Sequence, residues 1–347
     1  MKYIRLLLFP FSLLYGLVIA VRHALYDRDW LKRTAVGIPT IVVGNLAVGG
    51  TGKSPMVEYL VRTLGSKYRM AVLSRGYGRE TKGYREVEVG DDATQVGDEP
   101  LQFKRKFPDI TVAVCEKRVK GIRKLEANHD LVLLDDAFQH RALVPGFAIL
   151  LFDYTATLHE PHVLLPAGNY RDLFGRRKHA DVLVVTKTPR DVPAEQKAKI
   201  ARKLSVDSIP LIYSSIQYDH VLPLDGAVET WRPDAETHVL LVTGIANPAP
   251  LVDHAAQHYV PVGHISFPDH HAFTEADAKR ITSRFESVSG PNKIVLTTEK
   301  DAMRLRAFAG LFRAQGIPVF YVPIRAGFAS ADERVLRTRL EHYLENA

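Results

Sequence analysis

The 347-residue chain predicts a doubly wound α/β fold, a mostly parallel sheet with a second, smaller α/β domain. Three observations carry that prediction. Short β-branched runs alternate with helical patterns, a glycine-rich turn joins one such run to a helix start, and a second strand–helix series begins after a turn-rich break. Composition agrees: with 46% hydrophobic and 24% charged residues, the chain is globular rather than disordered or fibrous. A single cysteine, Cys115, excludes a disulfide framework and a cysteine-rich metal site, and fits a reducing compartment. The net charge of +7 is consistent with nucleotides, acidic lipids or nucleic acid, without choosing among them.

In chain order the first element is apolar, the 16 residues from Leu6 to Val21 between Arg5 and Arg22. A spanning helix needs about 20 apolar residues, and Pro10 sits inside this run. No small-residue cleavage site follows it, so a cleaved signal peptide is not expected. A buried helix is one reading. We favour the other, an amphipathic or monotopic anchor over residues 1–28 that brings Lys2, Arg5, Arg22 and Arg28 near anionic headgroups.

Next come "TIVVGN", "RMAVLSRG", "TVAVC", "DLVLLDD", "FAILLFD" and "DVLVVTK", which read as strands buried on both faces. Helix-like segments such as "GDEPLQFKRKF" and "KRVKGIRKLEAN" separate them, giving a first domain over 29–215. The turn-rich stretch that follows reads as a two-stranded link, with a linker at 216–236. "HVLLVTGI", "YVPVGHISF", "KIVLTTEKD" and "IPVFYVPI" then supply strands for a second domain over 237–347, with a cleft expected between the two.

The chemistry begins at "GNLAVGGTGKSP". Gly52, Lys53 and Ser54 match the end of the phosphate-loop pattern, whereas Ala47 stands at its first glycine. Gly49 and Gly50 compensate, so that the N–H groups from Val48 through Thr51 to Gly52 can curl around an anion. Lys53 then bridges the β- and γ-phosphates of ATP, and the Ser54 hydroxyl ligates Mg2+. Val48 occupies the place where a related ATPase loop carries a trans-acting lysine, which counts against an ATP-driven switch. "LVLLDD" ends in Asp135 and Asp136, at the strand end where α/β sites lie; one can hold Mg2+, although such a pair also caps turns. Further candidates are Asp98 in "GDEP", His270 in "FPDHHAF", Arg75 and Tyr77 in "LSRGYGR", and Arg171 and Asp172 in "LLPAGNYRDLF". A DHH triplet also occurs in a phosphoesterase family, but that chemistry needs more Asp and His clusters and no phosphate loop.

Taken in order behind the apolar helix, "VGNLAVGGTGKSP", "LSRGYGR", "GDEP", "DDAFQH", "LLPAGNYRD", "FPDHHAF" and "TTEKDA" resemble the tetraacyldisaccharide 4′-kinase family, a divergent branch of the P-loop kinases. The likeness covers nearly the whole chain; residues beyond about 310 carry no diagnostic motif. It implies transfer of the γ-phosphate of ATP, with Mg2+, to the 4′-hydroxyl of the tetraacyldisaccharide 1-phosphate precursor of lipid A. It places that reaction at the cytoplasmic face of a bacterial inner membrane, with no nucleic acid and no obligate protein partner. The resemblance also implies roles. Asp98 is the base, paired with His270 from the other domain when the cleft closes. His140 and Arg171, with Arg75 and Tyr77, meet the acceptor; Asp172 joins Asp135 and Asp136 in the metal shell; "TTEKD" lies near the nucleotide base. Two other readings stand beside it: a soluble P-loop kinase or ligase, and a GTPase-like metal or cofactor chaperone, since "TTEKD" is loosely similar to a guanine-reading strand end.

Overall fold

Thr40–Asn45 (β1) is buried along its whole length, as a parallel strand covered on both faces must be. The computed structural model describes residues 5, 7–206, 208–225, 232–269 and 271–347. Lys2, His270 and part of the 216–236 linker lie outside the described residues. The chain divides into two units, one of Met1–Gly90, Phe103–Gln217 and Arg325–Ala347, the other of Asp91–Gln102 and Tyr218–Ile324.

In the first unit β1 pairs in parallel with Leu131–Asp135 (β5) on one side and Phe147–Asp153 (β6) on the other. Beyond β5 lie Met70–Ser74 (β2), Thr111–Val114 (β4) and a short antiparallel edge, Arg85–Glu86 (β3). Beyond β6 lie Val182–Thr186 (β7), Leu211–Tyr218 (β8) and Ile324–Phe328 (β14). From β1 the chain lays β2, β3 and β4 on one side, returns to insert β5 between β1 and β2, and then crosses to build β6, β7 and β8 on the other side. The strand order therefore reverses beside β1, and α/β sheets of this kind bind ligands at that reversal. Val42, Leu73, Leu134 and Ile122 form the core on one face; Leu46, Leu150, Leu183 and Ile200 form it on the other.

The N-terminal helix, Phe9–Asp27 (α1), places Pro10 in its first turn, where a missing N–H costs nothing. Its buried residues are Ser12, Ile19, His23 and Tyr26, while Leu13, Leu14, Leu17, Val18 and Val21 are exposed. The helix is long and apolar enough to cross a membrane by length and composition.

The second unit carries a five-stranded sheet of its own. His238–Thr243 (β10), Val260–Ser266 (β11), Lys293–Thr298 (β12) and Val319–Val322 (β13) are parallel neighbours, and Leu222–Pro223 (β9) is antiparallel to β13. Its core is built on Leu240, Val242, Ile281, Val295 and Phe312.

Two features differ from the sequence reading. The expected two-stranded link does not pair with itself, because β8 joins β7 in one sheet and β9 joins β13 in the other. The chain also divides elsewhere than at residue 237. Asp91–Gln102 goes with residues 218–324, where Glu99 meets Lys300 at 2.6 Å. The C-terminal helix Ser330–Glu345 returns to the first unit, where the Thr40 N–H donates to Tyr343 Oη at 3.0 Å.

Gly44, one residue before the end of β1, has no room for a side chain: a Cβ there would lie 2.5 Å from Phe138 Cβ. Gly44→Ala should therefore destabilise the first unit by about 1–3 kcal/mol, read as a lower urea midpoint with an unchanged slope.

Candidate active site

The phosphate loop leaves β1 and returns into the helix Lys53–Leu64 (α2), whose N-cap Gly52 is left-handed at φ 79°. Gly49 is also left-handed, at φ 105°. These two positions are where glycine is needed; the Thr51 N–H folds back onto Gly49 O at 3.0 Å and the Val48 N–H is taken by Asn169 O, so these two amides, expected in the anion cradle, are engaged within the protein. The first arm behaves differently. Ala47 is bridged to Tyr170, the Val48 N–H donates to Asn169 O at 2.8 Å, and the Arg171 N–H donates to Leu46 O at 2.8 Å. An extended, strand-paired backbone suits any L residue, which explains alanine at the first glycine position. Asn45 holds the loop from below, its amide donating to Thr51 Oγ1 at 2.7 Å; Thr186 Oγ1 donates to Thr51 O at 2.9 Å.

The sequence-predicted residues of the first unit gather at this edge. Asp135 ends β5, 1% exposed, and its Oδ2 accepts from Ser74 Oγ at 3.0 Å. Asp136 follows in left-handed backbone at φ 49°, a conformation aspartate tolerates better than most residues. Lys53 Nζ lies 3.9 Å from Asp136 Oδ1, and Arg171 grips the same carboxylate, its Nη1 at 3.0 Å from Oδ2. Arg171 also donates to Asn45 Oδ1. Beneath them Arg118 is buried, donating to Asp135 O at 3.2 Å and Cys115 O at 2.8 Å. Burial lowers its pKa, and the charges of Asp135 and Asp136 oppose that fall.

His140 is brought down to about 4 by burial, reinforced by the guanidiniums of Arg118, Arg22 and Arg75. It is neutral near pH 7, able to meet an acceptor through one donor and one lone pair. Arg75 is exposed, and so is Tyr77, the latter at 78%. Asp172 has partners other than a metal shell. It is 3% exposed, and its Oδ1 lies 2.6 Å from His23 Nε2 and accepts from the Leu173 N–H at 2.8 Å.

Mg2+ fits the remaining donors. Ser54, at the first turn of α2, and Asp135 and Asp136, at the end of the strand next to β1, offer only hard oxygen ligands, the kind this ion prefers. Among the described residues no group of three or more His, Cys, Asp or Glu side chains forms a metal cage.

In the second unit Asp98 starts the helix Asp98–Lys106, with its Oδ2 3.5 Å from Arg304 Nε. Arg304 also donates to His271 O at 2.8 Å and to Asp301 Oδ1 at 2.8 Å. Asp301 is wholly buried; its Oδ2 accepts from the Gly244 N–H and from Thr298 Oγ1, and desolvation raises its pKa. A guanine-reading aspartate must face the base. Asp301 instead holds its own unit together, so the "TTEKD" likeness to a guanine reader fails on structure. His271 bonds Asp277 at 2.9 Å, and His270 is outside the described residues. Sequence reasoning missed Asn45, His23, Arg118 and Arg304. Of these only Arg304 carried a signal, one helical turn after Asp301.

A doubly wound parallel sheet whose strand order reverses at a glycine-lysine-serine loop, opposite paired aspartates, defines a P-loop phosphotransferase. The sequence profile described as tetraacyldisaccharide-1-P 4′-kinase matches residues 4–345, and the chain belongs to that family. A tetraacyldisaccharide 4′-kinase of Bacteroides thetaiotaomicron is 41% identical over 313 residues, covering 86% of this chain and 82% of its own. That of Flavobacterium johnsoniae is 37% identical over 351 residues, covering 100% and 99%. A crystal structure of "apo" form LpxK from Aquifex aeolicus in complex with ATP superposes with a TM-score of 0.76 at 28% identity, covering 98% of this chain and 99% of that one.

His140 gives a pH test. The unfolded imidazole takes up a proton near 6.5 and the folded one only near 4, so acidification across that window favours the unfolded chain. Between pH 6.5 and 4 the urea midpoint of the natural protein should fall more steeply than that of His140→Gln. Parallel slopes would mean that His140 is not held neutral.

Proposed function

We propose that the phosphate loop of this chain binds ATP and that the γ-phosphate passes to the 4′-hydroxyl of the tetraacyldisaccharide 1-phosphate precursor of lipid A. The chain is a kinase by family, and the observation that carries the reading is Lys53 and Arg171 converging on Asp136 beside the loop. Phosphoryl transfer is mostly positioning and neutralisation of charge, and this edge supplies both. The amides of Gly50 and Gly52 cradle the phosphates, Lys53 meets the charge that grows on the β–γ bridge, and Arg171 meets an anionic group of the acceptor. When bound through Ser54 and one of Asp135 and Asp136, Mg2+ would neutralise phosphate oxygens. His140, Arg75 and Tyr77 face the acceptor sugar, with His140 as a neutral partner for a hydroxyl.

Asp98 takes the hydroxyl proton as the alcohol attacks and shares it with His270. Arg304, with its Nε 3.5 Å from Asp98 Oδ2, holds that carboxylate in place, and His270 is the second group to which the proton passes. The reaction sits at the cytoplasmic face of the inner membrane. An acceptor with four acyl chains would cost about 0.8 kcal/mol per CH2 to draw into water, so docking the enzyme through the exposed leucines and valines of α1 is the less costly route.

Transfer of labelled γ-phosphate to the purified disaccharide lipid in detergent micelles tests the reading directly. Lys53→Ala should lower kcat by about a hundredfold or more with the fold intact; activity within about tenfold of the natural protein would place the nucleotide elsewhere. For the proton acceptors, Asp98→Ala should cost more in kcat than His270→Ala, and the double variant should be little worse than Asp98→Ala alone. Full additivity of the two losses would refute a coupled pair.

A further inference from the structure

α1 is built inside out, and its inward stripe is polar where a simple tether would be apolar. Ser12 and His23 are nine-tenths or more buried, yet each is spent on hydrogen bonds to one segment, residues 163–173. Ser12 Oγ donates to Leu164 O and accepts from the Ala167 N–H, each at 3.0 Å. Tyr15 Oη donates to Arg171 O at 3.0 Å, and Arg5 donates to Gly168 O at 2.7 Å. At the far end His23 Nε2 lies 2.6 Å from Asp172 Oδ1, while Arg141 donates to His23 Nδ1 at 3.3 Å and to Asp27 at 2.6 Å. An arginine that donates to Nδ1 assigns the ring proton to Nε2, so His23 donates to Asp172.

The opposite edge of the same segment is joined to the phosphate loop. Tyr170 bridges Ala47, Asn169 O accepts from Val48, and the Arg171 N–H donates to Leu46 O. The segment is therefore a strip held by α1 on one side and by the loop on the other.

We propose that His23 is a positioning residue for phosphoryl transfer: through Asp172 it fixes the strip that sets the register of the phosphate loop and the aim of Arg171. The role deepens the kinase reading and rests on it for its catalytic consequence. Burying an imidazole and a carboxylate together costs desolvation that a membrane tether has no reason to incur. Removing His23 leaves the buried Asp172 carboxylate with the Leu173 N–H but without its side-chain donor, so the strip should loosen at Asp172 and the loosening should pass to the loop.

The test compares His23→Ala with His23→Gln, whose amide nitrogen reaches the Nε2 position. Amide hydrogen exchange should speed up at Val48 and Arg171 by about tenfold or more in His23→Ala and recover in His23→Gln. On micellar substrate kcat should fall by about tenfold, with KM for ATP changed less, and glutamine should restore most of it. Flotation with phosphatidylethanolamine–phosphatidylglycerol vesicles should be unchanged. Leu17→Ser with Val21→Ser should do the converse, losing flotation while exchange at Val48 stays that of the natural protein. Unchanged exchange at Val48 and Arg171 in His23→Ala would overturn the proposal. If exchange rises across the whole sheet instead, the isosteric Asp172→Asn decides the matter by the same two amides. A natural protein that binds ATP but fails to phosphorylate the disaccharide lipid would sink the kinase reading and leave the exchange result to judge His23.

Discussion

At the end of β1 the Asn45 side chain has no access to water, so each of its polar atoms must be bonded within the fold. Its amide nitrogen donates to Thr51, its Oδ1 accepts from Arg171, and its backbone carbonyl accepts from Gln139. One residue thus fastens the returning arm of the phosphate loop, the guanidinium that grips Asp136, and the turn that carries His140. Moving any of the three breaks one of these hydrogen bonds, buried outright at Thr51 and partly buried at Arg171 and Gln139, at a cost of about 1–3 kcal/mol for the buried one. The phosphate loop is thus tied to its surroundings through one side chain, and fixed geometry is the property electrostatic catalysis requires.

Charge is distributed around this fixed point in an uneven way. Lys53, Arg118 and Arg171 surround Asp135 and Asp136, and Arg75 and Arg22 bear on His140 from nearby. The two aspartates lie among these cations and keep them from repelling one another. The second unit follows similar logic on a smaller scale, with buried Asp301 orienting Arg304 and Arg304 facing Asp98.

The strands were legible because β-branched runs buried on both faces leave little else for those residues to be, and β1, β2, β4, β5, β6 and β7 form where the sequence places them. The loop was legible from Gly52, Lys53 and Ser54, residues whose types follow from local backbone and phosphate chemistry. What stayed hidden depends on partners distant in sequence. That β8 and β9 go to different sheets, and that Asp98 goes with residues 218–324, is decided by pairing across long stretches of chain. The resemblance implied a metal role for Asp172; the side chain that the structure sets against it, His23, lies 149 residues away and nothing in the sequence links the two. The resemblance of "TTEKD" to a guanine reader was a likeness of letters, and burial of Asp301 removes the chemistry behind it.

The inverted burial of α1 also bears on how a water-soluble form of the enzyme could be made. Cutting the helix away would strip Ser12, Tyr15 and His23 from the strip they hold and expose Asp172 and the backbone of residues 164–171. Repainting only its outer surface, at Leu13, Leu14, Leu17, Val18 and Val21, leaves every one of those bonds in place. For this protein the route to solubility runs through recolouring a surface, and the segment that looks most dispensable in the sequence is the one to keep.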